Sequence, residues 1–230
     1  MNKFVQHLRD SRHLSFIYTI LVFLCSVWGI ALLILRIFDS THILSAFVST
    51  MMFFTTQSNI LVLMITLLFL LKFDRKKWFK SLSFIGLVNI FITALIFNTL
   101  LGPFMDHVNL IQYVLHVIVP VLYFILYFVF MPSRLNIMHF SIGMIYPVLY
   151  VISVYLVIEP FLGNFFIHAL DDFDGSRFVY PFLDPSTYSI YPQGTMLIFF
   201  IILGISLIGL TFLLNFLKIT IEEALIDHRK

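Results

Sequence analysis

The chain has 230 residues, 60% of them hydrophobic and only 11% charged, and its formal net charge is +2. A soluble domain of this size would be about a quarter charged. With a mean hydropathy of +1.01, the composition excludes a soluble globular fold and predicts an all-α, polytopic membrane protein.

The first apolar stretch, Leu14 to Leu35, follows Lys3, Arg9 and Arg12. It is longer than a signal-peptide core and no A-x-A-like site follows, so it reads as a retained helix. At about 1.5 Å per residue it crosses a hydrocarbon core of about 30 Å. Together with helices near 45–71, 81–101, 111–131, 138–158 and 194–217 it makes one six-helix transmembrane domain over residues 1–230. The connections carry charge, Gly and Pro signals: Lys72 to Lys80, Gly102-Pro103, and Pro132-Ser133-Arg134. The last connection, Glu159 to Gln193, is different: it holds nine Phe and Tyr residues and Pro160, Pro181, Pro185 and Pro192. This aromatic external segment before the last helix either caps the outer end of the bundle or only anchors it in the interface. Within it, Asp171-Asp172-Phe173-Asp174-Gly175 resembles part of a calcium loop but lacks the later ligands, and reads as a solvated acidic turn.

With the N-terminus inside, twelve of the 14 Lys and Arg residues fall on inner segments, leaving Arg36 and Arg177 outside. This bias predicts that both termini are cytoplasmic. No internal repeat appears, which weighs against an inverted-repeat transporter. A single cysteine, Cys25, excludes an intrachain disulfide and reads as a small core residue.

The informative residues are polar ones inside apolar runs, where a side chain loses water and must find a partner. Helix 2 opens with Phe54-Thr55-Thr56-Gln57-Ser58-Asn59, and helix 4 contains Gln112, His116 and Pro120 on one face. Thr55, Ser58 and Asn59 share a face, with Thr56 about 100° away. Thr55, His116, Asn98 and Glu159 each lie 17 or 18 residues from the inner end of their helices, which puts them in one layer roughly 25–27 Å from the inner surface. Pro120 frees a backbone carbonyl near the histidine. A structural rival stands beside each signal: Thr55 and Ser58 can bond their own backbone, and Asn59 and His116 can tie helix to helix. No histidine pair or H-E-x-x-H spacing suggests a metal, no cofactor motif appears, and no phosphate loop or nucleic-acid partner is expected.

Phe54-Thr55-x-x-Ser58-Asn59, the His116 helix, and Val179-Tyr180-Pro181-Phe182-Leu183-Asp184 together resemble the androgen-induced and androgen-dependent membrane hydrolases, in particular their bacterial-type members. The resemblance runs through helix order and motif order over nearly the whole chain. It implies a threonine hydrolase inside a bacterial plasma membrane that cleaves fatty acid esters of hydroxy fatty acids. It places the nucleophile on Thr55, with Thr56 as the alternative register, and the base on His116.

On this reading Thr55 attacks an ester carbonyl, His116 takes and returns the proton, and Asn59, Asn98 or Gln57 stabilises the oxyanion, with Ser58 and Gln112 in support. Glu159, by depth, and Asp184, by motif, are the candidate acids for orienting the histidine. The competing reading is a non-enzymatic carrier or sensor that binds a lipid or small amphiphile in the same polar layer.

Overall fold

The computed structural model describes residues 2–105, 107–131, 135–167, 176–187 and 192–227. Asp106, Arg134, the Asp171–Gly175 cluster, Tyr188, Tyr191, Arg229 and Lys230 lie outside them.

All regular structure among the described residues is helical. A short α1 (Asn2–Asp10) precedes α2 (Arg12–Phe38), which Ser11 caps by accepting from the Leu14 N–H at 3.4 Å. Next come α3 (Ile43–Met52) and α4 (Phe54–Leu70), then α5 (Lys77–Leu101), α6 (Leu110–Phe130), α7 (Ile137–Ile167) and α8 (Pro192–Asp227). Among the described residues five helices are long and apolar enough to cross a membrane, or six if the α3–α4 pair counts as one broken span.

Three boundaries differ from the sequence reading. The span expected over 45–71 is broken, with α3 and α4 meeting at a 71° bend. Phe53 there is extended (φ −64°, ψ 132°), and no Gly or Pro marks the spot. The fifth span runs through Pro160 to Ile167, because a π-helical stretch, Val154–Leu162, absorbs the proline. The last helix continues past residue 217 to Asp227.

The centre of the bundle is α5, packed against α4, α6, α7 and α8. Glycine stands at the closest helix approaches, two of them on contacts of α5. A Cβ on Gly86 would come 2.4 Å from Ile65 Cδ1, and one on Gly143 2.7 Å from Val88 Cγ2. The chain leaves α4 through Lys72, the only non-glycine residue with positive φ (63°) among those described, and returns as α5 to form an antiparallel hairpin. A capping box starts α6: the Asn109 side chain accepts from the Gln112 N–H, and the Gln112 side chain accepts from the Asn109 N–H, both at 2.9 Å.

The described part of the aromatic segment, residues 176–187, folds back over one end of the bundle. Tyr155 donates to the Leu183 carbonyl at 2.7 Å. Arg177 reaches Glu159 Oε1 at 2.9 Å and the Glu159 carbonyl at 3.1 Å. Tyr180, stacked on Phe182 at 5.1 Å, is buried.

Candidate active site

The bend at Phe53 makes Thr55 available. Seven other hydroxyls, those of Thr19, Ser26, Thr66, Thr99, Ser153, Thr211 and Thr220, donate to the carbonyl four residues back in their own helix. For Thr55 that position is Met51, across the break, and its carbonyl is taken by Gln57 Nε2 at 3.0 Å. The next orphan carbonyl, Met52, accepts from the Tyr150 hydroxyl at 2.9 Å. The Thr55 hydroxyl instead meets His116 Nε2 at 3.1 Å. Thr55 rather than Thr56 makes this contact.

His116 sits in a π-helical turn, Val114–Ile118, where the Val119 N–H bonds back to the Val114 carbonyl. In that register the Leu115 carbonyl needs the N–H of residue 120; in the ordinary α register the His116 carbonyl needs it. Residue 120 is proline and has none. Both carbonyls are met by asparagines: Asn59 Nδ2 donates to Leu115 at 3.2 Å, and Asn98 Nδ2 to His116 at 3.4 Å. Asn59 also donates to the Thr55 carbonyl at 2.9 Å, and Asn98 to Ala94 at 2.7 Å. Two asparagines thus hold the threonine and histidine backbones in register.

The imidazole is fixed from three sides. The Phe97 ring stacks on it at 3.8 Å and 14°. Its Nδ1 lies 2.8 Å from the Gln112 carbonyl. A carbonyl only accepts, so the ring proton is on Nδ1 and the Nε2 lone pair faces the Thr55 hydroxyl. The arrangement is a hydroxyl, a base holding the matching tautomer, and a backbone oxygen that orients the base.

Several expected roles are thereby reassigned. The orienting group is the Gln112 carbonyl, not an acid. Glu159 is paired with Arg177, and Asp184 accepts from Ser176 at 2.9 Å and from the Ser186 N–H at 2.8 Å. Both amide N–H groups of Asn59 and of Asn98 are engaged by backbone carbonyls, and Gln57 donates to the Met51 carbonyl, so these side chains brace the backbone around the site. Gln57 also accepts a short hydrogen bond from Tyr146. The Ser58 hydroxyl is buried without a hydrogen-bond partner.

Tyr180 is the side chain at the site whose position sequence reasoning missed. Its hydroxyl lies 3.4 Å from the Thr55 N–H, and its ring packs edge-on against Phe53 at 5.5 Å. Burial raises its pKa, so it is a neutral O–H group beside the threonine. The motif containing it was visible, but nothing local showed that it folds back onto helix 2.

Thr55 and His116 open into a cavity of about 260 Å³ whose walls are almost entirely apolar, including Phe54, Ile96, Val151, Phe182, Phe200 and Leu207. It follows α8 from Phe200 to Leu210, a length of about 15 Å at 1.5 Å per residue. Among the described residues no group of His, Cys, Asp or Glu can hold a metal ion. No protein-family model, no curated protein and no solved structure matches this chain.

Proposed function

We propose that this chain is an intramembrane hydrolase of lipid esters, with Thr55 as nucleophile and His116 as base, as its resemblance to the androgen-induced and androgen-dependent hydrolases implies. The observation that carries the reading is the 3.1 Å contact between the Thr55 hydroxyl and a histidine nitrogen, in the wall of an apolar cavity. The Nε2 lone pair accepts the Thr55 proton as Oγ1 attacks the ester carbonyl, and the imidazolium then protonates the departing alcohol to leave an acyl-threonine. The oxyanion meets the Tyr180 O–H, whose oxygen accepts from the Thr55 N–H at the start of α4. The apolar cavity holds the acyl chain, which favours a single-chain fatty acid ester. The protein lies in the bacterial plasma membrane with both termini inside, so the pair sits in the outer leaflet.

A carrier or sensor needs neither a fixed tautomer nor a hydroxyl turned away from its own helix. The deciding experiment is fluorophosphonate labelling of the detergent-purified protein. We expect an adduct on the peptide containing Thr55, absent in Thr55→Ala and at least tenfold slower to form in His116→Ala. Folded wild-type protein that takes no label would overturn the nucleophile assignment and leave the carrier reading.

A further inference from the structure

Hydrolysis has a second half that consumes water, and the cavity beside Thr55 is apolar. Cavities lined by aliphatic and aromatic groups stay dry. A water-using enzyme of this form needs a polar place next to the catalytic pair where water can rest.

Such a place lies one to two turns deeper than the Thr55–His116 contact. Five buried polar atoms there have no hydrogen-bond partner in the protein: Ser58 Oγ, Asn59 Oδ1, Thr93 Oγ1 and both amide atoms of Asn89. Their residues are between 0% and 4% exposed. Helix register brings them together. Ile65 of α4 meets Gly86 of α5. In this antiparallel pair, seven residues further along each helix puts Ser58 across from Thr93. Asn89 is one turn from Thr93 on the same stripe of α5, continuing the face on which Ile92, Thr93 and Ile96 line the cavity. Asn59 follows Ser58 in α4, and its Oδ1 is the atom that its two Nδ2 bonds leave without a partner. Ser58 is three residues from Thr55, about 4.5 Å along the axis.

We infer that Ser58, Asn59, Asn89 and Thr93 form an internal water site that supplies the deacylating water. Two donor-acceptor hydroxyls, one amide donor and two amide acceptors are the inventory that a bound water, with its two to four hydrogen bonds, satisfies. Thr93 lies in the cavity wall and is the point of exchange between the site and the acyl-enzyme. The water oxygen attacks the acyl-threonine carbonyl and its proton passes to His116 Nε2. The bond from carbon to Oγ1 then breaks, Thr55 recovers the proton, and a free carboxylic acid leaves. This inference rests on the hydrolase reading above.

The test separates the two halves of the reaction. Full-length protein in detergent is mixed with a p-nitrophenyl fatty acid ester. Nitrophenolate release in the first turnover reports acylation, steady-state release reports deacylation, and intact mass reports acyl-threonine. In Thr93→Val and Asn89→Leu the ratio of steady-state to first-turnover rate should fall about tenfold per lost hydrogen bond, with acyl-enzyme accumulating. Ser58→Ala, a smaller change that keeps the fold if the others do not, should show the same imbalance. A ratio unchanged in all folded variants would overturn the water site while leaving the hydrolase intact. Wild-type protein with neither a first-turnover burst nor a fluorophosphonate adduct would instead remove the hydrolase reading, and the water site's role with it.

Discussion

One helix, α6, solves the same backbone problem twice, with opposite results. At Val114–Ile118 a π-helical turn followed by Pro120 strands two carbonyls, and neutral asparagine amides meet them. At Leu126–Phe130 a second π-helical turn ends the helix, where the last carbonyls always lack partners. There cations meet them. Lys218 Nζ donates to Tyr127 at 2.8 Å and Met131 at 2.6 Å; Arg9 donates to Val129 at 2.9 Å and Phe128 at 3.2 Å. Glu222 joins the two cations, 2.9 Å from Lys218 and 2.7 Å from Arg9. Positive charge at a helix C-terminus also opposes the helix dipole. At the cationic end Lys218 and Arg9 are both engaged, and they hold α1, α6 and α8 together. The amide end meets only the backbone, leaving a hydroxyl, an imidazole and a layer of buried polar atoms with capacity to spare. Spare polar capacity in a membrane interior costs stability and persists where it does chemistry.

The comparison breaks most visibly if the two ends are swapped in their consequences. His116→Ala should lower ester turnover by about 10³-fold or more while the thermal midpoint in detergent stays near that of the wild type. Lys218→Ala should do the reverse. Lys218 is fully buried, and removing one member of a buried ionic cluster costs about 3–5 kcal/mol, so the midpoint should drop sharply while the surviving folded fraction labels Thr55 at the wild-type rate. A Lys218→Ala protein of unchanged stability would show the cationic cluster to be no anchor.

Asn98→Ala comes next in size. It removes the donor to the His116 carbonyl but no substrate contact, so the labelling rate should fall about tenfold, the scale of one hydrogen bond that positions a base. The adduct should still map to Thr55. A rate equal to wild type would mean that Phe97 stacking and the Gln112 carbonyl alone hold the ring.

Much of this was legible in the chain. Apolar run lengths located the spans but missed the break in the second and fell nine and ten residues short at the ends of the fifth and last, while counting from the helix ends grouped Thr55 and Asn98 with His116, which both of them contact. Pro120 announced a freed carbonyl. The break at Phe53 was not legible, because Met52-Phe53-Phe54 contains no helix breaker; it is held by Gln57 and Tyr150, residues that bond across it in space. The orienting group was missed because a backbone carbonyl has no sequence signature, whereas Glu159 and Asp184 do. Tyr180 and the Ser58–Thr93 register depend on which helices pack together. The Asn89–Thr93 spacing of one turn was the available signal, and it gains meaning only opposite Ser58.

The smallest expected effect is at the cap, and it sharpens the contrast between polar groups that are fully engaged and those that are not. Burial acts to raise the Asp184 carboxyl, but hydrogen bonds from the Ser186 hydroxyl and N–H and from Ser176 outweigh it and hold the pKa below its ordinary 3.8. A carboxyl depressed in the folded state contributes stability above its unfolded pKa and loses it as pH falls through the folded value. Asp184→Asn should therefore lower the thermal midpoint slightly at pH 6, and the gap should close below pH 3.8 as the wild-type carboxyl takes up its proton. The site is partly exposed, so screening keeps the effect small. A gap that persisted unchanged at acid pH would mean that Asp184 acts through its shape in the turn rather than through its charge. The cap would then be held by Arg177, Glu159 and the burial of Tyr180, with the carboxylate incidental to keeping the tyrosine over Thr55.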